Sequence, residues 1–566
     1  MALLRLPPLA LLFALGLLWG VLRFLFLLPF RRRVPSHAEL KLEGPLLWQQ
    51  PPHPGVGGRW RREPPSIEGI RNTLRQLAKE EALRGVVVSP HGLRASHARM
   101  QALAEELRRF RESGKEVVLY LREATARELV LAPAANQVLL APGGTVMLLG
   151  EAAVLTGLRG LLDRLGVLPE FLRIGDYKTA PELFTREAPS EIQRDFTERV
   201  LDARYERLLD IVGARRNGDR EWARRTVDGG PYTSGRALEA GLVDALVYPI
   251  DLPEHLGKDG ERKSRILPAE HVLRSRKWRY RPPRAGSARI VVIPISGIIR
   301  TGRSLQLPSG PRFAGEETVV GQVEAARRDP RVRGVVVYSD SRGGMASASD
   351  RIWHAVARLA KEKPTAAYVE SVAASGGYLA IAGAGRIFAA KGSLVGSIGV
   401  FSGRFSLGEF LGRLGIHREV LRRGENAGLL TSSRALEESE RRVLQAEIDQ
   451  IYEEFVDRVA RGRSRLKEEI GAYGEGRVYL AEEAPEALVD EIGDFRAALG
   501  WVVSQAKLPP GSFRVQVARD RGQRHAGLPA FLTEVARSPS SAYWLWAPGL
   551  PEDEGFLGCA GSWLGL

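Results

Sequence analysis

The sequence is nearly without cysteine. Its one thiol, Cys559, excludes an intrachain disulfide framework and any zinc site built from cysteines. The nine histidines are scattered without a close pair, so no histidine-built metal centre is expected, and neither a metal nor a cofactor is assigned. Lysine is scarce as well: twelve of the 82 basic residues are lysine and the rest arginine. No RRM, KH, helix-turn-helix or zinc-finger pattern accompanies the formal charge of +15. Most of the arginines sit among glutamates on helical stretches, as in 199–207 and 441–463. The excess therefore reads as solvated helix faces, and no nucleic-acid partner is expected. Beyond the first thirty-odd residues no long apolar run occurs, which excludes a polytopic membrane protein. With 44% hydrophobic and 26% charged residues the chain is globular, and its 566 residues are too many for one core.

The exception is at the start. Residues 6–30 are almost wholly apolar, interrupted only by Pro7, Pro8, Arg23 and Pro29. Twenty-five helical residues reach roughly 37 Å, enough to cross a hydrocarbon layer of about 30 Å. The run is longer than the apolar part of a cleavable leader and ends in Arg31, Arg32 and Arg33. An uncleaved, single-pass anchor is expected. The basic triplet alone would leave the following chain on the cytoplasmic side.

The rest of the chain is written twice. LRGVVV at 83–88 recurs as VRGVVV at 332–337, so Gly85 and Gly334 differ by 249 positions. Arg164-Leu165-Gly166 matches Arg413-Leu414-Gly415 at the same offset, and Leu172 and Gly175 match Leu421 and Gly424. Leu242-Val243-Asp244 recurs at 488–490 with a slightly shorter shift. Short apolar runs such as 290–295 and 334–338 alternate with helical periodicity, which indicates β-α-β units and a mostly parallel sheet. A long amphipathic helix follows in each copy: Ile448, Ile451, Tyr452, Phe455, Val456 and Val459 form one face, as do Leu201, Tyr205, Leu208, Leu209 and Val212. The expected organisation is an α/β protein: anchor 1–35, first repeat 36–250, linker 251–288, second repeat 289–510 and a Gly/Pro/Ser-rich tail 511–566. The tail reads equally as a docking segment, a membrane-surface segment or a disordered one.

Chemistry is expected where the copies disagree. Residues 374–378 read Ala-Ser-Gly-Gly-Tyr, between an apolar strand at 366–369 and an apolar helical run. Such a turn exposes the hydroxyl and aims the next N–H groups at one point, the geometry of a nucleophile with an oxyanion hole. At the 249 offset Ser375 falls on Ala126. In the first copy, residues 175–182 read Gly-Asp-Tyr-Lys-Thr-Ala-Pro-Glu. Lys178 is the only lysine between Lys115 and Lys258, and its counterpart is Ala427. Arginine stays protonated in proteins, whereas a buried lysine can lose its proton, so a lysine kept among arginines suits a general base. Each copy carries one half of a Ser/Lys pair and lacks the other.

Lys178 in GDYKTAPE, Ser375 in ASGGY and Gly-Ser-Ile-Gly at 396–399 resemble the signal peptide peptidase SppA (protease IV) family in its long tandem form. The resemblance covers about 36–505 together with the N-terminal anchor. The endings Tyr232 to Asp244 and Tyr479 to Asp490 resemble the wider ClpP/crotonase fold, which implies two tandem ClpP/crotonase-like repeats behind one transmembrane helix. It implies Ser375 as nucleophile, Lys178 as general base, Ser397 as the hydroxyl that orients the lysine, and Gly344 and Gly376 as oxyanion donors. Where the family has Ser-Pro-Gly-Gly, this chain reads Ser341-Arg342-Gly343-Gly344, and the rigidity of that loop is open. A free lysine titrates near 10.4, so the amine is expected in an apolar cleft between the copies. The resemblance further implies hydrophobic peptide substrates such as cleaved signal peptides, a homotetramer, and a catalytic bulk on the extracytoplasmic side of the cell membrane, against the basic triplet. Two other readings are a catalytically silent membrane scaffold, favoured by Arg342, and a crotonase-like acyl-CoA enzyme, which gives Lys178 no role.

Overall fold

The computed structural model describes residues 35–48, 64–257, 264–274, 288–306, 312–509, 512–518, 524–525 and 544–546. The expected anchor, 6–30, lies outside them. Among the described residues no helix is long and apolar enough to cross a membrane. The chain forms two compact units. One takes Gly55–Gly150 and Leu208–Ala285 with the strand ahead of them; the other takes Glu151–Arg207 and the chain from Gly286 onward.

In the first unit, valine-rich runs make a six-stranded sheet. Its order is Ile266–Pro268, His37–Pro45, Gly85–Arg94, Glu116–Leu121, Gln137–Leu140 and Ala245–Leu246, every neighbouring pair parallel. Val86, Val87 and Val88 are consecutive and all buried, as strands covered on both faces require. In the second unit the same path runs Phe513–Val517, Ala288–Ser296, Val332–Ser341, Thr365–Ala374, Arg386–Ala389 and Glu491–Ile492, again parallel throughout. The repeat seen in the sequence is therefore a repeat of topology. Its marker glycines have a physical reason: a Cβ on Gly85 would stand 2.4 Å from the Glu116 carbonyl oxygen, and one on Gly334 would stand 2.3 Å from Val502.

Three features differ from the expected organisation. The span read as a linker contains Ile266–Pro268, an edge strand of the first sheet. The span read as a tail contains its counterpart, Phe513–Val517, on the matching edge of the second. Ile266–Pro268 is three residues, too short for an alternation signal, whereas Phe513–Val517 does alternate, as Phe-Arg-Val-Gln-Val, but lies in the stretch read as tail. The third feature is Glu151–Arg207, which belongs by sequence to the first repeat and by packing to the second unit. There Leu168–Arg173 runs antiparallel along Phe401–Ser406, from Leu168 opposite Ser406 to Arg173 opposite Phe401.

That pairing closes an eight-stranded second sheet of the second unit. It also holds Ile298–Arg300, Gly343–Met345 and Trp544–Trp546. Phe171 stacks on Phe184 at 5.6 Å and meets Phe405 edge-on at 5.6 Å, which fixes the strand that leads to Lys178. The long helix Glu438–Arg463 buries Ile448, Phe455, Val456 and Val459, the face its periodicity indicates.

Candidate active site

Ser375 sits between the strand Thr365–Ala374 and the helix Gly376–Ile381. Its backbone is at φ 54° and ψ −123°, a left-handed conformation that a non-glycine residue adopts at a cost of roughly 1–3 kcal/mol. The turn is held from every side. Ser375 N–H donates to the Gly396 carbonyl at 2.7 Å, and Tyr378 and Leu379 N–H donate back to the Ser375 carbonyl. The Tyr378 hydroxyl, fully buried, donates to the Leu488 carbonyl at 2.9 Å and anchors the helix. Strain concentrated on one serine, over-determined by its surroundings, is the mark of a strand-to-helix nucleophile turn.

Lys178 reaches the same point from the loop that follows Leu168–Arg173. Ile174 N–H donates to the Val400 carbonyl at 2.9 Å and Lys178 N–H to the Gly175 carbonyl at 3.1 Å. Arg173 donates to the Lys178 carbonyl at 3.1 Å while pairing with buried Glu182 at 3.2 Å. The side chain is then aimed inward and is 1% exposed. Its Nζ lies 2.6 Å from Ser375 Oγ, 3.1 Å from Ser397 Oγ and 3.3 Å from the Ser397 carbonyl oxygen.

Three contacts are what a neutral amine can make: two N–H donors for Ser397 and one lone pair for the Ser375 hydroxyl. Burial drives the same way, lowering the lysine pKa from its ordinary value to about 7. Among the described residues no carboxylate stands within ion-pair distance of Nζ to restore the charge. Ser397 is itself at φ 53°, with its N–H donated to the Arg477 carbonyl at 2.6 Å. Ser375, Lys178 and Ser397 belong to one compact unit. The amine is enclosed by the second unit itself, whose members Val372, Ala374, Leu394 and Leu480 pack with Val200 beside the turn.

Of the two glycines expected as oxyanion donors, Gly376 opens the helix after Ser375, where N–H groups lack intrahelical acceptors. Gly344 lies on Gly343–Met345, paired with Ile299 on one side and with Leu545 on the other. The loop before it is held by hydrogen bonds where the family has proline. Ser341 Oγ donates to the Gly297 carbonyl at 2.6 Å and accepts from Gly343 N–H at 3.2 Å. A Cβ on Gly377 would stand 2.4 Å from the Ser341 carbonyl oxygen, so this loop and the serine turn are in close contact.

The sequence reading missed the Gly399 carbonyl, 3.4 Å from Ser375 Oγ and an alternative acceptor for its hydroxyl when the amine is protonated, and the turn at 475–477. Gly-Glu-Gly just ahead of the repeated Tyr479 motif was the available signal for the latter.

A strained, buried serine at a strand-to-helix turn of an α/β sheet, with an amine at hydrogen-bond distance, defines the class of serine hydrolases. Sequence comparison narrows it: the profile of Peptidase family S49 matches residues 109–259 and 357–509, one stretch in each copy. The chain belongs to that family and is a serine peptidase. It is similar to Protease 4 of Salmonella typhi, 30% identical over 456 residues, with 78% of this chain and 72% of that one covered. It is similar to Serine protease SPPA, chloroplastic, of Arabidopsis thaliana, 27% identical over 451 residues, covering 78% and 66%. Putative signal peptide peptidase SppA of Enterococcus faecium is 29% identical over 226 residues, covering 40% of this chain and 65% of that one. The chain spans about two thirds of the length of these relatives. Among solved structures, a mutant ClpP1 from Listeria monocytogenes aligns with TM-score 0.25 and 16% identity over 37% of this chain and 94% of its own.

Proposed function

We propose that the protein is a membrane-anchored serine endopeptidase that cleaves hydrophobic peptides, such as spent signal peptides, with a Ser375/Lys178 dyad on ClpP/crotonase-like repeats. The observation that carries this reading is the 2.6 Å contact between Lys178 Nζ and Ser375 Oγ, both groups buried. In the first step Ser375 Oγ bonds to the peptide carbonyl carbon and its proton passes to Lys178. The N–H groups of Gly344 and Gly376 stabilise the carbonyl oxygen as it becomes an oxyanion. Lys178 gives the proton to the departing amine as the C–N bond breaks, which leaves an acyl-serine. Water then loses a proton to Lys178 and attacks the acyl carbon, and the proton returns to Ser375.

Ser397 holds the amine so that its lone pair faces Ser375. An acyl-CoA reading gives Lys178 no task, and a silent scaffold has no use for strain at Ser375. The apolar run 6–30 supports anchoring, and the family resemblance, against the basic triplet, supports a bulk outside the cytoplasm. Exposed Leu161, Leu165, Leu414 and Ile416 in the second unit support self-association, as a homotetramer. The deciding experiment is mass-spectrometric digestion of a hydrophobic leader-like peptide by wild type and Ser375→Ala. Cleavage by the wild type alone, with fluorophosphonate labelling lost in the variant, is expected; equal cleavage by both overturns the reading.

A further inference from the structure

The candidate base and its orienting serine are both gripped by a turn that neither motif contains. At 475–477, Glu475 and Gly476 adopt left-handed backbone, φ 56° and 79°. The Glu475 carbonyl accepts from Tyr177 N–H at 3.1 Å, and the Arg477 carbonyl accepts from Ser397 N–H at 2.6 Å. Between them Gly476 N–H donates to the Ile398 carbonyl at 2.7 Å. Of three consecutive residues, the first thus bonds to the lysine loop and the next two to the Ser397 loop.

The fit is tight in both directions. A Cβ on Gly476 would stand 2.6 Å from Lys178 N and 2.8 Å from Lys178 Cα and Cβ. A Cβ on Gly175 would stand 2.1 Å from the Glu475 carbonyl carbon, and one on Gly399 2.8 Å from Gly476. The Arg477 guanidinium covers the Tyr177 ring at 4.2 Å, a cation–π contact on the residue next to the base. Tyr452 steadies the turn from the helix Glu438–Arg463, its hydroxyl accepting from Glu475 N–H at 3.3 Å.

We propose that the turn 475–477 is the positioning element of the dyad: Gly476 sets how deeply Lys178 is seated, and Arg477 locks the lysine loop to the Ser397 loop through its carbonyl and its hold on Tyr177. The inference rests on the Ser375/Lys178 reading and adds residues that touch neither substrate nor reacting atoms. Among the described residues, the charged and titratable groups packed round the lysine loop include Arg173, Asp176, Tyr177, Glu182, Tyr452, Glu475, Arg477 and Tyr479. Only burial is found to depress the lysine, so a shift of the backbone that admits water returns it toward ordinary behaviour.

The test compares pH profiles of kcat and KM for Gly476→Ala, Arg477→Ala, Arg477→Lys and, in parallel, Lys178→Ala, all in the full chain with folding checked by circular dichroism. Gly476→Ala is expected to lose roughly 10²-fold in kcat at pH 7, keep KM within about twofold, and move the rising limb of kcat upward by at least one pH unit. Arg477→Ala is expected to lose about tenfold with the same direction of shift, and Arg477→Lys to recover most of it, since a cation still covers Tyr177. Should Gly476→Ala not fold, the arginine pair decides alone. If Lys178→Ala is inactive while the folded Arg477→Ala keeps the wild-type kcat and profile, the positioning role is overturned and the dyad stands. If Lys178→Ala keeps activity, the dyad reading itself falls.

Discussion

Three oxygen atoms surround Lys178 Nζ, and each has a different worth. In the proposed mechanism Ser375 Oγ is the reacting atom, so Ser375→Ala and Lys178→Ala should each cost at least roughly 10³-fold in kcat. Lys178→Arg should be as inactive as the alanine variant, because a guanidinium does not give up its proton. Ser397→Ala removes one of two acceptors on the same residue and leaves the carbonyl at 3.3 Å, so about a tenfold loss is expected. Steady-state kinetics on one peptide ranks all four. Because the amine must be neutral to act, kcat/KM should rise with pH and be half-maximal near the lysine pKa of about 7. The sign for stability follows from the same burial. Between about 7 and 10.5 the unfolded chain binds the lysine proton and the folded chain does not, so folding is opposed below pH 7 and gains as pH rises through that window. A Lys178→Met variant should therefore be more stable than wild type at pH 7. Its advantage should shrink by up to about 1.4 kcal/mol per pH unit toward 10.5, as read by urea unfolding at several pH values.

Elements decide how the two loops meet. Strand Leu168–Arg173 delivers Lys178, and the Phe171, Phe184 and Phe405 rings lock it to Phe401–Ser406. Phe171→Ala should cost about 2–4 kcal/mol of stability, with part of the loss appearing as a lower kcat, since the lysine loop hangs from that strand. The short strand Gly343–Met345 has both edges taken, by Ile298–Arg300 and by Trp544–Trp546. A peptide that adds to it as a strand must displace the second of these. Deletion from Trp544 to the C-terminus should therefore lower KM for short peptides while kcat changes little; an unchanged KM would place the peptide elsewhere.

At the scale of the molecule, duplication is what made the sequence readable. A fixed offset of 249 paired Ser375 with Ala126 and Lys178 with Ala427, and that reciprocal loss marked both residues before any contact was known. The topology was legible for the same reason: valine runs buried on both faces cannot alternate and so announce parallel strands. Of the short edge strands, Ile266–Pro268 was not legible, being three residues fixed by the neighbour they pair with, while the alternation of Phe513–Val517 was a signal left unused. Nor was the turn at 475–477, whose role lies in backbone carbonyls that no side chain advertises. At Arg342, where the resembling family has proline, the loop is held by a neighbouring side chain. Ser341, one residue earlier, ties the loop to Gly297.

The packing of Glu151–Arg207 with the second unit has one more consequence. The seam between the copies is where a nick would seem harmless, yet cutting there parts the amine from the alcohol onto separate polypeptides. Uncut, every molecule inherits one of each, in a ratio that neither dilution nor subunit exchange can alter.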